Sequence, residues 1–471
     1  MKSSLTDSTL PDKWHLMVAA SVAGLGGLLF GYDNIVISGA IRYLSRCFHL
    51  DTVQVGWAAG CALIGCIAGS AAAGAIVDRI GLKKGLFLCA GCFLGSSAGM
   101  LFAGSFTQFV FWRLLGGLGI GGASIISPMY IAEIAPTRLR GRLVTLYQLG
   151  IVLGILGAVF INMLIQRMGD EVWNTTTGWR WMFFAGIVPA ILFAMMIAPA
   201  LESPRWLMKA GKRDVAYDVL RRVNGSKLAL SEASAIEASL ATEEGHISEL
   251  FNTFRRPLLL GIMLAGFSQL SGITPLFSFM PEIFRAAGTA TTDAFFQSVL
   301  VSLVNLVFTL FALWLVDRLG RKTLIIAGTL TQCLSFACVG WLYHVRGNGL
   351  AVLVFVMTFV AGHAFGNGVA CWVIISEIYP TKVRGRAMSI ATTALWVVGY
   401  FGNQTFPLMQ KYIGNDGTFW WFSFAALANC LCVLRLVPET KGRSLEEITR
   451  FWTSRTTGTA PEAAAVRQGG P

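Results

Sequence analysis

Long apolar runs alternate with short polar breaks along nearly the whole chain. A helix needs about 20 predominantly apolar residues to cross the hydrocarbon core of a bilayer. Twelve runs meet that length, near residues 15–40, 54–77, 86–104, 107–130, 144–166, 181–200, 257–280, 295–316, 324–343, 350–376, 387–408 and 419–437. In lipid every backbone polar group must be satisfied within the segment, so runs of this length read as helices. The pattern predicts an all-α membrane protein of two six-span halves, 14–200 and 257–437. Residues 1–13 are polar, and the first run is long enough to stay in the membrane rather than serve as a cleaved signal. Residues 201–256 form a polar linker with helix-like pieces at 212–222 and 230–241, expected against the cytoplasmic face. A tail begins at 438, and its Thr, Ala, Gly and Pro content predicts disorder from about 453.

Composition agrees. Of 471 residues, 55% are hydrophobic and only 13% charged, against roughly 45–50% and 25% in soluble domains. The net charge of +12 does not point to nucleic acid, because the basic residues lie in short clusters between spans. Gaps after spans 2, 4, 6, 8 and 10 hold most of them, including Arg79, Arg140, Arg205, Arg318 and Arg384, whereas the opposite gaps hold isolated residues such as Arg42, Arg167 and Lys411. By the positive-inside rule both termini are cytoplasmic. Nine of the ten cysteines fall inside apolar runs and read as small buried hydrophobes, with Cys47 expected in a loop. No metal set, nucleophile–base pair or cofactor loop is apparent, which disfavours an enzyme. The glycine run Gly116–Gly122 lacks the Gly-Lys-Ser/Thr of a phosphate loop, and its small residues predict close helix packing instead. Asn174-Thr175-Thr176 is a glycosylation sequon by pattern alone.

The charged motifs repeat. Asp78-Arg79-Ile80-Gly81 recurs 239 residues later as Asp317-Arg318-Leu319-Gly320. Glu133-Ile-Ala-Pro-Thr-Arg-Leu-Arg-Gly-Arg142 recurs after 244 residues as Glu377-Ile-Tyr-Pro-Thr-Lys-Val-Arg-Gly-Arg386. Glu202-Ser-Pro-Arg205 has a weaker echo in Glu439-Thr-Lys-Gly-Arg443. Parallel repeats place a binding site between the halves, which rock around it. These motifs, with Pro438-Glu439-Thr440-Lys441-Gly442, Leu28-Leu29-Phe30-Gly31-Tyr32-Asp33 and the run 113–148, resemble the sugar porter family of the major facilitator superfamily over about 14–450. The resemblance implies a monomeric, multi-pass carrier of a bacterial inner membrane. It would import a monosaccharide by alternating access, with no cofactor and a proton as coupling ion. A proton-independent facilitator, a polyol carrier of the inositol kind and a membrane sugar sensor remain alternatives. The short tail argues against the sensor.

Three sets of residues are candidates. Within the membrane, Asp33 in span 1 and Arg113 in span 4 are expensive in hydrocarbon and so mark a functional site. Burial penalises the charged carboxylate and a nearby guanidinium favours it, so a change in their separation would load or release a proton. The resemblance supports this, because proton-coupled sugar porters carry Asp and Arg here. His363 in span 10 reads as a helix-packing residue. A sugar requires amides for its hydroxyls and aromatic faces for its C–H side. Gln148, Gln269, Asn305, Trp372 and Trp396 lie on five spans at positions that match the family's sugar contacts, with Phe30 and Gly368 in second rank. At the cytoplasmic face, Asp78, Arg79, Glu133, Arg140, Glu202 and Arg205 in one half and Asp317, Arg318, Glu377, Arg384 and Glu439 in the other are expected to form ion pairs that close an inner gate. The sequence departs from the family at Leu82 and Leu313 in the gate motifs, and at Ser268, Thr274, Ser278-Phe279 and Leu395 around the site. Those departures leave the identity of the solute open.

Overall fold

The computed structural model describes residues 13–135, 140–241, 247–252, 254–379 and 383–441. Eleven helices are long and apolar enough to cross a membrane among the described residues. Spans 1 to 6 are Trp14–Cys47, Thr52–Ile80, Leu82–Leu101, Phe106–Ile134, Leu143–Met168 and Glu171–Ile197. Spans 7 to 10 are Arg255–Ser278, Thr291–Val316, Arg321–His344 and Gly349–Glu377. The last helix, Gly385–Leu436, holds two spans. Gly414, at φ 75° and ψ 173°, turns the chain within it and separates span 11 (385–413) from span 12 (415–436). The twelve-span expectation holds. Between the halves run helices Pro204–Lys209, Arg213–Asn224, Ser226–Ala241 and Ile247–Phe251. The tail from 442 lies outside the described residues. Cys47 ends the helix Ile37–Cys47 instead of sitting in a loop, and Asn174 of the sequon is buried with its amide donating to three backbone carbonyls.

Local chemistry explains where the helices begin. Asp51 and Gln54 form a reciprocal capping box at the start of span 2, and Ser105 caps span 4. The glycines inside the spans then set the spacing between helices. A Cβ built on Gly31 would fall 2.0 Å from the Ile151 carbonyl oxygen, and one on Gly117 would fall 2.0 Å from that of Ala62. Spans 1 and 5, and spans 2 and 4, therefore meet backbone to backbone, the packing that small residues permit in lipid.

The repeat is visible at atomic level. Span 3 starts after Gly81 (φ 93°) and span 9 after Gly320 (φ 90°). The Glu202 carboxylate accepts from the amides of Leu82 (2.9 Å) and Lys83 (3.1 Å). The Glu439 carboxylate likewise accepts from Arg321 (3.2 Å) and Lys322 (3.1 Å). Two unsatisfied helix N-terminal donors are met in each half by a carboxylate, which also suits the positive end of the helix dipole. Lys83 and Lys322 then donate to the carbonyls of Ala198 (2.8 Å) and Leu434 (3.0 Å), at the ends of spans 6 and 12.

On the outer side the two halves touch. Asn403 of span 11 donates to the Ala59 carbonyl of span 2 (3.0 Å) and to the Ser278 hydroxyl (3.0 Å). Gln404 donates to the Val53 carbonyl (3.0 Å), and Trp57 meets Tyr400 edge to face. Arg42 of span 1 reaches Thr291 of span 8 (2.8 Å).

Candidate functional site

Asp33 and Arg113 come together as their types and spans suggest. The Arg113 guanidinium donates to the Asp33 backbone carbonyl (2.9 Å) and to its Oδ1 (3.4 Å). Arg113 is 1% exposed and Asp33 9%. The guanidinium also lies over the Phe183 ring, 5.3 Å from its centroid. The second carboxylate oxygen, Oδ2, is buried with no hydrogen-bond partner. Gly116, one turn along span 4 from Arg113, leaves room for it: a Cβ there would fall 2.9 Å from Oδ2 and 2.7 Å from the Ser96 hydroxyl. A buried carboxylate with one oxygen held only loosely and the other unbonded can accept a proton without breaking a strong contact.

Three of the solute-binding candidates, Phe30, Trp396 and Gln269, lie at the seam between the halves. Phe30 of span 1 packs on Trp396 of span 11 with ring centroids 5.4 Å apart. The Trp396 indole N–H is buried and unpartnered. Gln269 stands beside span 11, its Oε1 3.7 Å from where a Cβ on Gly399 would sit, with Leu63 of the first half at the same distance from that point. The Thr274 hydroxyl donates to Gln269 Oε1, which leaves the Gln269 N–H groups for another acceptor. Span 7 is broken there by Gly272 in the left-handed region (φ 91°), and the break brings Thr274 back towards Gln269. Gln148 is half-buried and Asn305 buried, and neither amide carries a hydrogen bond among the described residues. Trp372 and Gly368 are half-buried on span 10, in and just after a π-helical turn, Ala364–Ala370. Among the described residues no hydrogen bond or ring contact links Gln148, Asn305, Trp372 and Gly368 to one another, although the helices of Gln148 and Asn305 pack together and span 8 packs on the π-turn that holds Gly368.

The pairs given for the cytoplasmic charges among the described residues are local. Asp78, Glu133 and Glu377 each have a partner in their own half or in the linker. Asp78 pairs with Lys209 of the first linker helix (2.8 Å). Glu377 pairs with Arg321 (3.2 Å). Glu133 accepts from Ser203. Arg318 covers the Trp314 ring at 3.9 Å, and Arg79 is exposed. Glu202 and Glu439 staple helix starts within their own halves, and Arg205 is half-buried beside Ser203. The side chains of Arg140, Asp317 and Arg384 lie outside the described residues. With the outer ends of spans 2 and 11 joined, pairs that bridge the inner face would not be expected in this state.

Several contributors escaped the sequence reading. Arg321 occupies, in the second repeat, the place that Leu82 takes in the first. In the second half Arg321 pairs with Glu377, and in the first half Glu133 accepts from the Ser203 hydroxyl. Ser96, Gly116 and Phe183 flank the buried pair from spans 3, 4 and 6. The motif spacing could have flagged Arg321. Gly116 belongs to the glycine run read for close packing, but nothing in the sequence marks Ser96 or Phe183.

Residues 19–452 match the family described as Sugar (and other) transporter. The D-xylose-proton symporter of Escherichia coli is 36% identical over 474 residues, covering 94% of this chain and 96% of that protein. The arabinose-proton symporter of Bacillus subtilis is 38% identical over 440 residues, covering 93% and 95%. The solved structure of the E. coli xylose transporter XylE, in a partially occluded inward-open conformation, matches with a TM-score of 0.83 at 35% identity, covering 92% of this chain and 100% of that one. Twelve helical spans in two repeated halves, a buried Asp–Arg pair and a polar, aromatic seam accompany these matches, and the chain belongs to the sugar (and other) transporter family, with the major facilitator fold.

Proposed function

We propose that this protein is a secondary active transporter that imports a monosaccharide by alternating access, with Asp33 carrying the coupled proton. The observation that carries the reading is the buried Asp33–Arg113 pair with its unpartnered carboxylate oxygen. The protein works as a monomer in the plasma (inner) membrane, with a proton as coupling ion. Gln148, Gln269 and Asn305 hold solute hydroxyls, and Phe30, Trp372 and Trp396 cover the C–H faces, with Gly368 leaving room beside Trp372. Amides suit this task because each offers a donor and an acceptor.

Coupling follows from charge. In the state closed to the outside, Arg113 compensates part of the Asp33 charge, through a 3.4 Å contact that is long for a charge-assisted bond. Protonation removes the cost of burying that charge, so the occluded, loaded carrier can form. When the site faces water on the inner side, the carboxylate is again solvated and the proton leaves. The cytoplasmic clusters that include Asp78, Arg79, Glu133, Arg140, Glu202, Arg205, Asp317, Arg318, Glu377, Arg384 and Glu439 set how readily the inner side opens.

A pentose is the first solute to try, since both matched relatives are named for pentoses. The alteration of span 7 at Ser268 and Thr274 supports testing hexoses and polyols beside it. The deciding experiment is uptake of labelled xylose, arabinose, glucose and inositol into proteoliposomes with and without an imposed pH gradient. Accumulation of one sugar above its external concentration, only with the gradient, is the expected result. Equilibration without accumulation would make the protein a facilitator.

A further inference from the structure

Span 10 departs from regular α-geometry just where it carries two of the solute-binding candidates. The π-helical turn Ala364–Ala370 contains Gly368 and ends one residue before the helix that holds Trp372. An inserted π-turn widens a helix and rotates the residues after it about the helix axis, and such turns concentrate at functional sites. Two features fix this turn against its neighbours. A glycine contact is the first: a Cβ on Gly328 of span 9 would fall 2.5 Å from the Gly362 carbonyl oxygen and 2.8 Å from Gly366 Cα. The second is a chain of three amides from three spans. Asn367 donates to Gln332 of span 9 (3.4 Å) and accepts from Asn429 of span 12 (3.4 Å). Gln332 lies four residues after Gly328, on the same helix face.

All three amides are essentially inaccessible, at 0% for Gln332 and Asn429 and 1% for Asn367. Both bonds are long, and Gln332 Nε2 and Asn429 Oδ1 are buried without partners. Three leucine-like side chains would fill the same place without those unsatisfied groups, whose burial without partners is costly. A buried polar network held at such a cost is informative where it specifies one geometry among several. Here the geometry it specifies is the π-turn, because Asn367 lies inside that turn and is its polar anchor to both flanking spans.

We propose that Asn367, clasped by Gln332 and Asn429, is a specificity-determining positioning residue that holds the π-turn of span 10 and thereby sets Gly368 and Trp372 against the solute. The inference rests on the assignment of Gly368 and Trp372 to the solute site. Asn367 itself is buried away from the seam, between spans 9, 10 and 12, so it acts through its neighbours in the chain and does not touch the sugar.

The test compares counterflow of xylose, arabinose and glucose by the full-length protein in proteoliposomes, reading KM and maximal rate separately. Three variants are used: Asn367→Leu, the combined Gln332→Leu/Asn367→Leu/Asn429→Leu, and Trp372→Phe as a control on the site. The combined variant removes every partner at once and leaves no orphaned amide, which is expected to make it the better folded of the two; its elution as a monodisperse species checks this. If the amides only glue helices together, apolar packing replaces them and the combined variant transports as the parent does. If they position the site, that variant raises KM for the preferred sugar by about tenfold and alters the ratio of KM values among the three sugars, with the maximal rate within about threefold. A parent-like KM and sugar preference in the combined variant, with KM raised in Trp372→Phe, overturns the inference alone. Parent-like kinetics in both overturns the inference together with the solute-site assignment.

Discussion

Replacing Asp33 by Asn removes the ionisable group while keeping shape and one acceptor oxygen. The structural cost should be modest, because Arg113 keeps its bond to the Asp33 backbone carbonyl at 2.9 Å and its place over the Phe183 ring. Deleting one partner of a buried pair outright costs about 3–5 kcal/mol. With a neutral acceptor left in place we expect about 1–2 kcal/mol, small enough for the variant to fold and bind. The functional cost should be complete. One pH unit across the membrane supplies about 1.4 kcal/mol per proton, so one coupled proton can drive at most about tenfold accumulation. The parent should approach that ratio in proteoliposomes held one unit more acidic outside, and Asp33→Asn should reach a ratio of about one. Solute binding and solute–solute exchange should persist, since neither needs net proton movement. If Asp33→Asn still accumulates solute, another group carries the proton and the proposed coupling is wrong. If the parent itself never exceeds a ratio of one, the pair is structural and the protein equilibrates its solute passively.

Other contacts carry further expected outcomes. Gln269→Ala should weaken solute binding by about 1–3 kcal/mol, measured by titration of purified protein, because the solute loses a hydrogen-bonding partner in a desolvated seam; unchanged affinity in this variant and in Gln148→Ala would remove both from the site. Asn403→Leu loses the bonds to Ala59 and Ser278 that join the halves on the outer side, and should increase labelling of outer-cavity cysteines on a cysteine-reduced background. Glu377→Gln removes a carboxylate that would pair across the inner face when that side is closed, and should increase labelling from the cytoplasmic side; unaltered labelling with transport intact would reduce these charges to topology signals. Gly116→Val should impair pH-driven accumulation more than exchange, because its side chain would press on Asp33 Oδ2 and Ser96 from 2.9 and 2.7 Å.

The spans were legible because lipid imposes one simple demand, a long apolar run per crossing, and Trp14–Cys47 and Thr291–Val316 satisfy it plainly. The repeat was legible because charged residues are rare enough in such a chain for their recurrence to stand out. Asp33 and Arg113 could be singled out for the same reason, and their contact followed from neighbouring spans. Pairing at the cytoplasmic face was not legible, because it depends on which side of the carrier is closed: with the outer side joined, Asp78 meets Lys209 and Glu377 meets Arg321. The π-turn of span 10 was also hidden. Apart from Asn367, its residues, Ala364 to Ala370, are apolar or small like those around them, and the extra residue shows only in the backbone.

The two carboxylate staples have a mechanical consequence. Glu202, just past the sixth span, grips the start of the third, and Glu439, just past the twelfth, grips the start of the ninth. Each half is thus fastened late to early, like a hoop closed by a rivet. A strip pushed at one end bends, whereas a closed hoop turns as a whole. Force applied where the solute sits is therefore delivered to the far face as torque, with little lost to flexing of individual helices. A lesion at either rivet should make the carrier compliant, so that its halves deform locally and solute occupancy no longer dictates which face is open.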